Sequence, residues 1–263
     1  MKISNTFSIN GWTGFAVLAI FSIAAVQAQE NRNSASTFNP DRVPLQLKSV
    51  VLALGSRVQT PGSERITMEG TFAESKGNST ATILLELPNK ARITLTGPTS
   101  KSIGFDGQKG SASGASLTEQ DEDLLETFVE DSAEGMLNAV RSTASLRVLA
   151  TYSRMDDGTR TGRNVDVFQL AGPAQSRSSK SVRHKTYFVD SLTHQLVEVA
   201  YRAPRGDGST SAVRVQYSNW TKIAGQSVPG TIKRVENGQA KFTLNISAAS
   251  FSAKDQSNPF AAQ

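Results

Sequence analysis

Between Thr186 and Phe251 apolar residues fall on alternate positions, with turn residues separating the runs. That period of two belongs to antiparallel strands with one dry face. Val213, Val215 and Tyr217 face one way while Arg214 and Gln216 face the other, and Phe242, Leu244 and Ile246 alternate with Thr243 and Asn245. Strands are predicted at 186–189, 195–201, 212–217, 228–235 and 240–247, joined by turns at Asp190 to Thr193, Gly206-Asp207-Gly208, Asn219 to Gly225 and Asn237-Gly238. The last pair suits a two-residue hairpin. Such a chain must wrap a sheet around something apolar.

The same period appears earlier. Ile66, Met68 and Phe72 alternate with polar residues, and Ala81, Ile83, Leu85 and Leu87 lead through Pro88-Asn89-Lys90 into Ala91, Ile93 and Leu95. Two strands joined by a tight turn are expected there. A short strand with Ile103 and Phe105 ends at Asp106-Gly107, and further strands are predicted at 145–152 and 164–170, around a turn at Asp156-Asp157-Gly158. Residues 172–183 read as a polar, basic loop.

Two stretches break the period. Leu47, Val50, Val51, Leu54 and Val58 follow helical spacing after Pro44, predicting a helix over 43–55. Leu124, Leu125, Phe128, Val129, Met136, Leu137 and Val140 form a wide stripe over 119–141, with Gly135 offering a bend that would divide it into two shorter helices. Thr118 is placed as its N-cap with Asp121 three residues on, and Glu119, Asp121, Glu122 and Asp123 favour the positive end of the helix dipole. Ten or eleven short strands with two inserted helices give an α+β, mostly antiparallel fold. A long amphipathic helix needs an apolar surface, which a curved open sheet with a greasy concave face supplies.

Residues 1–28 carry the pattern of a secretion signal: Lys2, an apolar run from Phe15 to Val26 broken by Ser22, and small residues at Val26-Gln27-Ala28. Residues 29–42 read as a flexible leader, 43–253 as one domain, and 254–263 as a frayed tail. No later run approaches the roughly 20 apolar residues of a membrane span. The chain has no cysteine, so neither disulfides nor lipidation at a cysteine can contribute. A bacterial periplasmic setting is the expectation, with the protein a monomer. The net charge of +5 is spread without blocks, which argues against a nucleic-acid partner. Sequons at Asn78, Asn219 and Asn245 are what a Ser/Thr-rich chain produces by chance.

Catalytic patterns are sparse. His184 and His194 are the two histidines, and no nucleophile elbow, phosphate loop or paired-histidine zinc motif is present. Asp190, Ser191 and His194 would make a hydrolytic trio only if the turn did not need its Asp and Ser to bond its own backbone. The acids at 119–123 lack the spacing of a calcium loop. No cofactor or metal is expected.

The order of elements resembles the periplasmic lipoprotein carriers of the Lol system and their relatives, over about residues 43–253. The stretches that carry the likeness are Ile83-Leu84-Leu85-Glu86-Leu87-Pro88-Asn89-Lys90-Ala91-Arg92, Phe105-Asp106-Gly107, and Tyr187-Phe188-Val189-Asp190 on through Val199. The resemblance implies an unclosed half-barrel whose concave face shelters acyl chains beneath helical lids. It also marks a departure: where the carriers typically hold a lid-locking arginine before the Pro-Asn turn, this chain has Leu87. The expected function is a non-catalytic carrier or sensor for a lipid or lipidated protein, with lining residues Ile83, Leu85, Ile93, Leu95, Leu125, Phe128, Val213, Val215, Tyr217 and Phe242 chosen by face parity. The alternatives are an envelope interaction module with a filled core and, more remotely, a hydrolase.

Overall fold

The first strand, β1 (Glu64–Glu74), pairs on one side with β2 (Gly77–Glu86) and on the other with the last, β14 (Gln239–Ala253), so the two ends of the domain meet in mid-sheet. This computed structural model describes residues 45–142, 145–155, 162–171, 184–255 and 257–260. All of them lie in the unit Phe38–Gln263. The signal and leader readings, the turn at Asp156-Asp157-Gly158 and the basic loop 172–183 fall outside the described residues.

From β2 the sheet continues through β3 (Lys90–Thr96) and β4 (Lys101–Phe105) to an edge at β5 (Gly110–Ala112). From β14 it continues the other way through β13 (Thr231–Glu236), β10 (Thr210–Ser218), β9 (Leu196–Pro204), β8 (Lys185–Asp190) and β7 (Arg163–Ala171) to an edge at β6 (Ser145–Met155). Every pairing among these twelve strands is antiparallel and β5 is not paired with β6, so the sheet is an open half-barrel. Bulges between Glu69 and Gly70 against β14, and between Arg234 and Val235, add local twist to the middle strands. The predicted strand 228–235 is in fact two: β12 (Gln226–Val228) pairs with β11 (Thr221–Ile223) in a separate small hairpin, and β13 follows. The reading of Asn219 to Gly225 as a plain turn overlooked β11, which is only three residues long.

The topology explains where the helices go. The chain leaves the sheet at one edge, β5, and re-enters at the other, β6, so the intervening residues have to cross the open side. They do so as α2 (Glu119–Val129) and α3 (Ala133–Ser142), after α1 (Leu45–Leu54) and a 3₁₀ turn (Ser56–Val58) at the start of the domain. α2 packs on β3 and β4, α3 on β7, and α1 on β12. The stripe over 119–141 is therefore two helices broken at residues 130–132. Gly135 explains the junction: a Cβ there would lie 2.5 Å from the carbonyl oxygens of Val129 and Glu130, so only glycine lets α3 turn back this closely on the end of α2.

The alternation holds along the strands. Ile66, Met68, Ile83, Leu85, Ile93, Leu95, Ile103, Val213, Val215 and Leu244 all face the concave side and are buried with Leu124, Leu125 and Phe128 of α2. Within the tail expected to fray over 254–263, the described residues Asp255 and 257–260 are held against the sheet. Arg65 donates to Asp255 and to the Ser257 carbonyl, Arg92 donates to the Pro259 carbonyl, and Phe260 is wholly buried with its ring near Arg65 and Lys90. Arg65 and Arg92 alternate with Ile66 and Ile93, so the tail is strapped to the sheet face opposite the helices. A short polar tail carries no periodicity, and one aromatic was enough to anchor it.

Candidate functional site: a small apolar cavity beneath ion-paired helices

The start of α2 forms as its sequence dictates. Thr118 Oγ1 accepts from the Asp121 backbone N–H, and the Asp121 carboxylate accepts in return from the Thr118 N–H, closing the capping box. Asp121 also pairs with Lys101 of β4 at 2.5 Å. Burial works against its charge, but the hydrogen bonds from Lys101 and Thr118 outweigh burial and hold the carboxyl below its ordinary range.

The other side of α2 meets a different wall. Arg234 of β13 reaches Asp123 at 2.8 Å, Thr127 Oγ1 at 3.1 Å and Asp131 at 3.4 Å, while its Nε donates to Glu236 at 2.8 Å. Lys185 of β8 touches Asp131 at 2.6 Å, Glu126 at 3.0 Å and Glu130 at 3.2 Å. Arg205, just after β9, joins Asp123 at 2.8 Å and Glu236 at 2.6 Å and reaches Glu119 at 3.3 Å. Three tyrosines complete the wall by donating to the helical layer: Tyr201 to Asp131, Tyr187 to the Glu130 carbonyl and Tyr217 to the Thr127 carbonyl.

The break between α2 and α3 is what makes this wall work. By leaving helical geometry at residues 130–132 the chain turns Asp131, 0 % exposed, down onto Lys185 and Tyr201. In this network the carboxylates outnumber the cations, with consequences for each group. Burial pushes the Asp131 carboxyl up even though Lys185 and Arg234 oppose it, and burial raises Asp123 likewise. Glu236 goes the other way, because its bonds to Arg234 and Arg205 outweigh its burial. Burial disfavours the Lys185 ammonium, yet Asp131, Glu126 and Glu130 hold its pKa well above the ordinary lysine range.

α3 has its own tie. Arg57, in the 3₁₀ turn, donates through Nε and Nη2 to Glu134 Oε1 at 3.1 and 2.8 Å. The same guanidinium donates to the carbonyls of Leu54 and Ser227 and to Gln226, and it lies 5.9 Å from the centre of the Phe251 ring.

Between these ties lies a cavity of about 40 Å³. Its walls are Ile66, Met68, Leu85 and Ile232 from the sheet, Phe128 and Ala133 from the helices, Tyr217 and Trp220, with Arg57 and Glu134 on its polar side. That volume exceeds the roughly 10–15 Å³ needed for one water and falls far below the roughly 300–1,000 Å³ of a ligand pocket. Of the ten parity-chosen residues, Leu85, Phe128 and Tyr217 line this cavity. Ile83, Ile93, Leu95, Leu125, Val213, Val215 and Phe242 lie in the packed core around it.

Sequence reasoning missed Arg57, Lys185, Arg205, Arg234 and Asp131, because charge was read as exposure. Parity did carry a signal: Lys185 shares a face with Tyr187 and Val189, and Arg234 shares one with Ile232. Reading the acids after Thr118 as helix-start stabilisers accounts for Asp121 and leaves out Asp123, which belongs to the network.

Of the imagined hydrolytic residues, Asp190 is occupied within its turn and Ser191 by a strand outside it, while His194 Nδ1 is buried without a hydrogen-bond partner among the described residues. Asp190 Oδ1 accepts from the backbone N–H groups of Leu192 and Thr193, and Ser191 Oγ bonds Asp166 at 3.0 Å. No cluster of three or more metal-ligating side chains occurs among the described residues, and no described helix is long and apolar enough to cross a membrane.

No family model matches the chain, and neither does any curated protein. Among solved structures it is similar to a LolA superfamily protein from Nitrosomonas europaea, with TM-score 0.48 and 14% identity over 82% of this chain and 97% of that one. It is also similar to a DUF1329 family protein from Desulfovibrio piger, with TM-score 0.44 and 11% identity over 79% and 90%. Both are likenesses of chain path, and the half-barrel described above rests on its own strand order.

Proposed function

We propose that this protein is a non-catalytic carrier or sensor of the bacterial envelope that shelters acyl chains of a lipid or lipidated protein between its half-barrel and the α2–α3 layer. The observation that carries this reading is the cavity's position, at the point where an apolar sheet face meets helices that polar ties fasten to it. Side chains such as Phe128, Ile66 and Leu85 meet there through contacts that an acyl chain can replace in kind. Each sheltered methylene is worth about 0.8 kcal/mol, so a chain of about 15 carbons gains on the order of 12 kcal/mol against the cost of parting the layers. The present volume requires that parting, so the form described is the closed one. The secretion-signal pattern of residues 1–28 supports the envelope setting.

Native mass spectrometry of gently purified protein, with uptake of a fluorescent acyl probe after delipidation, tests the reading. Co-purifying lipid or saturable uptake supports it, and absence of both overturns it. The smallness of the cavity favours the second reading, a partner-binding module with a filled core, which predicts that second outcome.

A further inference from the structure

Arg57 is 3 % exposed, and its guanidinium is bonded by groups outside the α2–α3 layer: the carbonyls of Leu54, at the end of α1, and Ser227, with Gln226 and the face of Phe251. Its counter-charge is Glu134, in the first turn of α3, and the two line the same cavity. The cation is thus held from the α1 and β12 side of the cavity, and the anion stands on α3, the layer that the acyl-binding reading requires to part. Parting α3 from the sheet removes Glu134 and leaves a buried guanidinium without its carboxylate, which is among the costlier things a protein interior can hold. A ligand with an uncharged head leaves that cost standing. One whose head is an oxyanion replaces Glu134 on the same two N–H groups, in the forked geometry that guanidinium offers to carboxylate and phosphate.

We propose that Arg57 is the head-group anchor of the acyl site and that its ligand is an anionic amphiphile, a carboxylate or phosphate on an acyl or alkyl chain, with Glu134 holding the place of that head in the closed form. The proposal rests on the acyl-binding reading above. The chain end lies against Ile66, Met68, Leu85 and Ile232, and the head lies at the polar side marked by Arg57 and Glu134. A buried site that bonds a charged head discriminates strongly against a ligand lacking it, because its own donors are then left unpaired.

The test is calorimetric titration of the full chain with dodecanoate, dodecyl phosphate and methyl dodecanoate, against wild type, Glu134→Gln, Arg57→Gln and the double variant Arg57→Gln/Glu134→Gln. The wild type is expected to prefer at least one anion over the ester by about tenfold or more. Glu134→Gln is expected to bind all ligands more tightly while keeping that preference, since it weakens the tie that opening breaks. Arg57→Gln is expected to bring the ratio to about one; should it fail to fold, the double variant, which leaves neither charge of this pair, gives the same readout. Which anion binds more tightly distinguishes a fatty-acid head from a phospholipid-type head. Equal binding of ester and anions by wild type, or a preference that survives loss of Arg57, overturns the anchor while leaving the acyl site standing. Failure of all three ligands to bind wild type and Glu134→Gln overturns both.

Discussion

The two halves of the concave face solve the same problem by different means. On the β1–β5 side the helices rest on an uncharged apolar surface, mostly aliphatic (Ile66, Met68, Ile83, Leu85, Ile93, Leu95 and Ile103) with Phe72 and Phe105, and one partly exposed ion pair, Lys101–Asp121, ties α2 down. On the β8–β13 side tyrosines and buried charges stand where aliphatic residues would otherwise be, and they grip the helices by at least three carboxylates. Apolar burial has no preferred direction, whereas an ion-pair network has one good geometry. The first half holds the helices chiefly by apolar burial, and the second by ion pairs that fix where the helical layer sits.

The largest effect is expected from breaking the fixed point. Arg234→Met removes the buried cation that joins Asp131 to Asp123 and Glu236, leaving Lys185 alone on the first and Arg205 alone on the other two, and should cost about 3–5 kcal/mol in urea unfolding. Replacing the network by well-packed apolar residues would cost much less, because the expense lies in the excess of buried carboxylates left behind. A loss below about 1 kcal/mol for the single change would mean that the network is open to water and that the contrast between the halves is false.

The aliphatic half should respond through volume alone. Leu95→Ala, at a wholly packed position, is expected to cost about 2–5 kcal/mol by transfer and cavity terms. Unlike Arg234→Met, its cost should be nearly the same at pH 4 and pH 7 (about 4 and about 7 on the working scale), since no titrating group is uncovered. A pH-dependent loss would show that this side too is electrostatically held.

This contrast also explains what was legible in the sequence. The aliphatic half announces itself by alternation: Ile83, Leu85, Ile93 and Leu95 were placed on one face from their spacing, and they share it. The other half obeys the same parity, but Lys185 and Arg234 carry charges, and a charge on a strand is ordinarily an exposed residue. What brings them inside is carboxylates more than fifty residues away in sequence, as the separation of Lys185 from Asp131 illustrates. No local pattern records such a partner. The split of the long helical stripe was half legible, since Gly135 was visible as a weak point while the reason for the break, Asp131 turning down onto Lys185, was not. The tail was misread for the complementary reason: Phe260 alone, docking against Arg65 and Lys90, makes a contact too small to leave a period.

A smaller loss is expected at the end of α2 nearest the aliphatic half. Thr118→Ala removes the cap acceptor of the Asp121 N–H and should cost about 1 kcal/mol, read by thermal or urea unfolding. If the cost instead approached that of Arg234→Met, the aliphatic half would be depending on its few polar ties far more than its packing suggests.

The smallest effect is the most discriminating, because one buried carboxylate from each half, Asp121 and Asp131, titrates in the opposite sense. Asp121 has its folded-state pKa lowered, so the stability it contributes is present above the ordinary value of 3.8 and is lost as pH falls through the depressed folded value. Asp131 has its folded-state pKa raised by burial, so its contribution is fully present below 3.8 and is lost as pH rises through the elevated folded value. Unfolding free energies of wild type, Asp121→Asn and Asp131→Asn, measured in steps from about pH 3 to about pH 7, give the sign directly. The wild-type advantage over Asp121→Asn should grow as pH climbs, and the wild-type advantage over Asp131→Asn should shrink. Two curves running the same way would show that Lys185 and Arg234 fully neutralise the carboxylates around Asp131. The fixed half would then be an ordinary set of ion pairs, without the surplus of buried negative charge that distinguishes it from the half held by Lys101.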